Sequence, residues 1–180
     1  MTNMRPTGKY AFLATEPGPL MLKRALEFYG TTETPGAGNT ETILGWAAEM
    51  GGWVANWYDK DSIPWCGLFM AVVAKRAGKS VPKNYLTALA WSEWGSPSPR
   101  PALGDVLTFG RKGGGHVGLY VGEDAQAYHV LGGNQSDQVN VMRLNKSRFV
   151  AARRQYRIGV PRNVRPINIK ASGAISENER

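Results

Sequence analysis

Apolar positions change their period once along this chain, near its middle. Before residue 95 they recur at three- and four-residue spacing, the repeat of a helix face. After residue 101 they alternate or bunch in short runs, as strands do. Leu20, Leu22, Ala25, Leu26 and Tyr29 predict a helix over residues 19–29, closed by Gly30. Ile43, Leu44, Trp46 and Ala47 predict a second over 41–50, capped by Asn39 or Thr40 and stopped by Gly51-Gly52. The run Cys66–Ala74 predicts a third, buried all round, of roughly three to four turns. Pro64 lies just before it, and Lys75-Arg76-Ala77-Gly78 closes it. Tyr85, Leu86, Leu89, Ala90 and Trp91 suggest a further helix within 81–94.

The proline-rich segment 96–101 is a stiff connector. Beyond it, strands are expected at 105–109, 116–121, 127–131, 138–144 and 150–158, separated by glycine-rich or polar turns. Helices first and strands afterwards predict an α+β fold, with N-terminal helices packed on an antiparallel sheet of about five strands. Residues 1–18 read as an irregular arm, 19–162 as the folded domain, and 163–180, polar and aperiodic, as a flexible tail.

Composition narrows this picture only a little. The chain is 42% hydrophobic and 20% charged over 180 residues, which suits one globular domain. A single cysteine excludes an internal disulfide and a cysteine-rich zinc site. The first residues lack a charged segment followed by an apolar one, so no signal peptide is expected, and no apolar run approaches the roughly 20 residues of a membrane span. A net charge of +8 implies either a solvated basic face or an anionic polymer as partner. Arg143, Lys146, Arg148, Arg153, Arg154, Arg157 and Arg162 cluster, without a nucleic-acid-binding motif.

Candidate chemistry centres on that one cysteine. A thiol at a helix N-terminus feels the positive end of the macrodipole, which favours thiolate. A nucleophilic Cys needs a base, and the base needs an orienting group. The chain holds two histidines. His116 opens a strand directly after Gly113-Gly114-Gly115, and His129 lies within the next strand. Either fits the base, the glycine-flanked His116 better. If those two strands pair antiparallel, the end of the second lies near the start of the first. Asn134, after Gly132-Gly133, is then placed to accept from the imidazole N–H, although Gly-Gly-Asn is also a plain turn sequence.

Pro64-Trp65-Cys66-Gly67, then Leu103-Gly104-Asp105-Val106-Leu107-Thr108-Phe109, then Gly115-His116-Val117-Gly118-Leu119-Tyr120-Val121-Gly122 together resemble the CHAP and NlpC-type papain-like peptidoglycan hydrolases. Leu131-Gly132-Gly133-Asn134-Gln135-Ser136-Asp137 and Gly30-Thr31-Thr32-Glu33-Thr34-Pro35-Gly36 are similar to a subgroup found in phage lysins and related bacterial proteins. The likeness spans roughly residues 20–161. It implies a papain-like fold with Cys66 as nucleophile and His116 as base. The third member would be Asn134 by the CHAP pattern or His129 by the NlpC pattern; the Gly-Gly-Asn-Gln context favours Asn134. It further implies a monomer that cuts a peptidoglycan amide as an endopeptidase or amidase, without a cofactor, nucleic acid or membrane, and that reaches the wall by phage release, within a virion or by another export route; the alternatives are a papain-like protease or acyltransferase acting on protein, and a non-catalytic basic binding module in which Cys66 is a buried filler.

Asp61, Trp65 and Gln135 are the candidate substrate contacts. Gln135, or a polar side chain within 58–62, is the candidate oxyanion donor beside the Cys66 N–H. Trp57 and Trp65 could floor a groove, with a core role expected for Trp57. Asp59 and Asp61 lack the glycine and distal Glu of a calcium loop, so no metal is expected there. They read as turn caps or as contacts to charged substrate groups.

Overall fold

The computed structural model describes residues 4–179; residues 1–3 of the expected arm, including the stretch read for a leader, and Arg180 of the expected tail lie outside them. Four α-helices precede the main sheet: α1 (Leu20–Leu26), α2 (Glu41–Met50), α3 (Gly52–Trp57) and α4 (Cys66–Arg76). Helix α4 begins at Cys66 as the sequence predicts, and Gly78, at φ 67°, ends it by donating to the Lys75 carbonyl. Every residue from Cys66 to Ala74 is buried, because α1, α2 and the sheet enclose the helix. Phe28, Trp46, Trp65 and Phe69 interlock beside it with ring centroids 5.0 to 6.3 Å apart. Each such ring adds about 1.5–3 kcal/mol through burial. Phe69→Ala would therefore cost about 3–5 kcal/mol.

The fold is α+β, with seven strands instead of about five. They are β1 (Ser96–Pro97), β2 (Val106–Arg111), β3 (Gly114–Glu123), β4 (Ala127–Gly132), β5 (Asn140–Asn145), β6 (Phe149–Arg154) and β7 (Ile175–Ser176), in the order β1-β6-β2-β3-β4-β5-β7. The five long strands are those expected from the alternation. The two additions are two-residue pairings, one inside the proline-rich connector and one inside the expected tail. All pairings are antiparallel except β5 with β7.

This sheet is strongly curled. Strands β5 and β6 are four positions apart in it, about 19 Å if it were flat. Only residues 146–148 join them, and that link reaches at most about 14 Å. Curling gives the sheet two buried faces. Val106, Val117, Leu119 and Val121 join the helical core, whereas Leu107, Phe109, Tyr120, Val130, Leu144 and Ala152 form a second core inside the curl.

The chain outside the expected domain is also packed. Gly8–Thr15 forms a 3-10 helix that buries Leu13, and residues 163–179 run along the sheet instead of hanging free. Ile169 donates to the Glu123 carbonyl, Glu123 to that of Ile167, and Lys9 reaches the Ser172 carbonyl at 2.6 Å. The helix expected within 81–94 is reduced to a 3-10 turn, Ala88–Glu93. Conversely, the aromatic stretch after Gly52 is helical as α3.

Candidate active site

Cys66, at the N-terminus of α4, meets β3 at Val117, the residue that follows His116. The backbone N–H groups of Gly67 and Val117 both support the thiol sulfur's charged form. Gly67 lets the 85–86 backbone close in on the other side of the helix start: a Cβ there would lie 2.5 Å from the carbonyl oxygens of Tyr85 and Leu86.

The imidazole is oriented by Gln135. His116 Nε2 lies 2.9 Å from Gln135 Oε1. The Gln135 amide cannot be reversed, because its nitrogen donates to the carbonyls of Val130 and Asn140 and to Asn140 Oδ1. Its oxygen is therefore an acceptor, so His116 Nε2 must carry the proton. Nδ1 is left as the basic nitrogen of the ring. In a Cys–His pair the base must present a lone pair, and this arrangement fixes which nitrogen does so.

Here the structure corrects the expected third member. Strand β4 pairs antiparallel with β3 through Leu119↔Leu131, so the segment after Gly132 does return to the start of β3, as the sequence predicts. It is Gln135 and not Asn134 that reaches the imidazole. Asn134, at φ 57°, turns away and donates to Glu33 Oε1 at 2.9 Å. Ser136 and Asp137 also have left-handed backbones, at φ 49° and 60°. Such a sequence of turns sets which side chain faces inward, and alternation cannot reveal it. Gly132 and Gly133 make the loop possible. A Cβ on Gly133 would lie 2.5 Å from the Trp65 ring, and one on Gly132 would lie 2.8 Å from Gln135 Oε1.

His129 belongs to a separate cluster. Tyr10 Oη lies 2.7 Å from its Nδ1, and Asp124 Oδ2 lies 2.7 Å from its Nε2. Arg143 Nε donates to the same Asp124 oxygen at 2.8 Å. His129 pairs with Gly122, about 20 Å along β3 from His116.

The expected substrate contacts fare unevenly. Asp61 is buried and structural: its Oδ2 accepts the backbone N–H of Thr34 and Thr40, each at 2.8 Å, so the turn-cap reading fits. Trp65 is fully buried, with its indole N–H on Glu33 Oε1 at 2.7 Å. Glu33 thus ties the residue before Cys66 to the loop before Gln135, a positioning role that the sequence did not single out. Trp57 reverses its expected place, being half exposed, with its ring 5.0 Å from Tyr58 and 6.0 Å from the still more exposed Trp53. Within 58–62, Tyr58 is the polar side chain nearest the chemistry: its charge couples to Cys66, and its hydroxyl donates to the Pro64 carbonyl at 2.7 Å.

Electrostatics set the resting protonation. Burial pushes the Cys66 thiol up, against the pull of the Arg111 charge and the two backbone N–H groups, while the Glu179 carboxylate pushes it further. Burial also brings His116 down to about 4. Both groups rest neutral near pH 7. The expectation of a thiolate from the helix terminus thus fails in this conformation, because desolvation outweighs the macrodipole. Among the described residues, no group of three or more His, Cys, Asp or Glu side chains is arranged to hold a metal ion.

Comparison with protein-family models finds no match to this chain, and comparison with curated proteins finds none either.

Proposed function

We propose that this protein is a papain-like cysteine amide hydrolase whose substrate is bacterial peptidoglycan. One observation carries the catalytic part: Cys66 at the α4 N-terminus lies against β3 at His116, whose tautomer is fixed by a Gln135 amide clamped on both sides. An inert buried thiol needs no such neighbour. The order of the Cys, Gly-Asp and His-Val-Gly segments and the positive net charge support the cell-wall substrate.

In this mechanism His116 Nδ1 takes the Cys66 proton as sulfur attacks an amide carbonyl. The Cys66 backbone N–H and a second donor stabilise the oxyanion. Tyr58 is the nearest polar candidate for that donor, once its hydroxyl leaves Pro64. His116 then returns the proton to the departing amine, leaving a thioester. Water, deprotonated by His116, hydrolyses that thioester to a carboxylic acid and restores the thiol. The exposed Trp53 and Trp57 offer aromatic faces beside this region for sugar or peptide.

Zymography on purified peptidoglycan, comparing wild type with Cys66→Ala, tests the reading. Clearing by wild type alone, with a new amine and carboxyl pair in the fragments, is expected; no clearing by wild type sinks it. The burial of Cys66 favours one rival, a binding module with an inert thiol. That rival predicts equal wall binding by both proteins and no cleavage by either.

A further inference from the structure

One carboxylate has no explanation in the fold. Residues 170–174, 177 and 178 are exposed, yet Glu179 is completely buried. No apolar side chain draws it in. Its Oε1 and Oε2 instead receive a two-pronged contact from Arg148 Nη1 and Nη2, at 2.7 and 2.9 Å, with Arg111 Nη1 at 3.9 Å from Oε2. Arg148 is itself held by the Gly110 and Ser176 carbonyls. Burying an ion pair is a poor way to add stability, because desolvating two charges offsets most of their attraction.

The surroundings of Glu179 are those of the candidate site. Its charge acts on both Cys66 and His116. Its backbone carbonyl accepts from Ser136 N–H at 2.7 Å, one residue beyond the Gln135 that orients the imidazole. The segment thus lies against the candidate site as a bound peptide would, with one main-chain bond and one anchored acidic side chain. It does not fit flush. A polar cavity of about 210 Å³ remains between it and the β2–β3 turn, lined by Arg111, Lys112, Gly113, Glu177 and Asn178.

We propose that Arg148 and Arg111 form a carboxylate subsite for an acidic peptide substrate, and that Glu179 occupies it in the resting protein as an internal competitor. This rests on the hydrolase reading above and adds to it the charge of the substrate beside the cut bond. A bidentate guanidinium matches a carboxylate in geometry as well as charge, and Arg111 sets the direction from which it enters. A substrate carboxylate that displaces Glu179 keeps the two guanidiniums paired, whereas neutralising Glu179 leaves the positive charge of Arg111 facing the thiol.

Alkylation of Cys66 in the full chain tests this without any wall substrate. In wild type, neutral iodoacetamide and anionic iodoacetate should both react slowly. Glu179→Gln should speed both, by about tenfold for each pKa unit by which the thiol falls. Iodoacetate should gain more, and adding Arg148→Gln should abolish that excess. In Glu179→Ala, N-acetylglutamate α-amide should protect Cys66 from iodoacetamide, and N-acetylglutamine α-amide, which has no carboxylate, should not. Wild-type alkylation rates in folded Glu179→Gln and Glu179→Ala would overturn the occlusion. Equal gains for the two reagents, or equal protection by the two ligands, would overturn the carboxylate subsite. Thermal melts and near-ultraviolet dichroism verify that each variant is folded. A wall that stays intact while these shifts are seen counts against the hydrolase reading and leaves the subsite standing.

Discussion

Among the described residues the imidazole of His116 hydrogen-bonds to Gln135, and the choice of its basic nitrogen depends on that neighbour's orientation. Gln135→Ala would free the ring to rotate and remove the bias between its nitrogens. A loss of about 100-fold in kcat is expected, the scale of a misplaced catalytic group, with the fold retained. Asn134→Ala should act differently. It strains a left-handed backbone and drops the bond to Glu33, lowering stability by about 1 kcal/mol, while Asn134→Gly relieves the strain. Wall turnover and urea melts on the three variants decide; a larger kcat loss in Asn134→Gly than in Gln135→Ala would reverse the assignment. The pH dependence of stability also belongs to single residues. Burial lowers His116 to about 4 and lowers His129 too, so the unfolded chain takes up these protons first as the pH falls below about 6.5. Stability is therefore complete above that pH and drains away towards pH 4. The His116 share reaches about 3 kcal/mol, opposed in part by Glu33, which burial raises. Urea midpoints that stay level from pH 7 to 4.5 would refute this. The nucleophile and base could be read from the sequence because each is a rare residue beside an unusual helix or strand start. The orienting residue could not, since left-handed backbones at Asn134, Ser136 and Asp137 decide between neighbours in the chain.

Among the elements, those with a long apolar period matched expectation closely: α2 spans the predicted residues and α4 starts at the predicted one. The segment 81–94 did not, because hydrogen bonds from its own side chains set its path. Trp91 Nε1 donates to the Tyr85 carbonyl and Trp94 Nε1 to that of Ser80, and these bonds hold the segment as turns around its own tryptophans. The turn between β4 and β5 is sensitive to volume. A methyl group at Gly133 would press into the Trp65 ring and Phe69, both fully buried. Gly133→Ala should cost about 1–3 kcal/mol by overpacking and reduce activity by shifting Gln135. A thermal melt paired with kcat measures both; an unshifted melting temperature would mean that the loop yields freely.

At the scale of the molecule, charge serves mostly internal joints. Of the basic cluster, Arg143 holds Asp124, Lys146 holds Glu123, Arg148 holds Glu179, Arg154 holds Asp105 and Arg153 donates to the Trp94 and Gly95 carbonyls, leaving Arg157 and Arg162 among the exposed positions. The solvated basic face expected from composition is therefore smaller than the sequence suggests, because a clustered charge does not reveal its partner. The Asp105 joint closes the sheet edge. Its carboxylate takes Arg154 Nε and Nη2, Ser98 Oγ and the Ala102 N–H, fastening β6 to the connector ahead of β2. Asp105→Ala leaves the guanidinium and the N–H without their acceptor and should cost about 3–5 kcal/mol, read from urea unfolding. A loss under about 1 kcal/mol would show that water replaces the carboxylate. The 163–179 segment escaped sequence reading for a related reason: it has no period of its own and takes its conformation from sites elsewhere on the surface. That placement has a practical side. A purification tag or fused domain attached after residue 180 would begin two residues from the buried Glu179, whose carbonyl accepts from Ser136 beside Gln135, whereas one attached ahead of residue 1 would join well before Leu13 is buried. The same chain handled by opposite ends would then behave as two different reagents, and an assay on a C-terminally tagged preparation would report the tag as much as the protein.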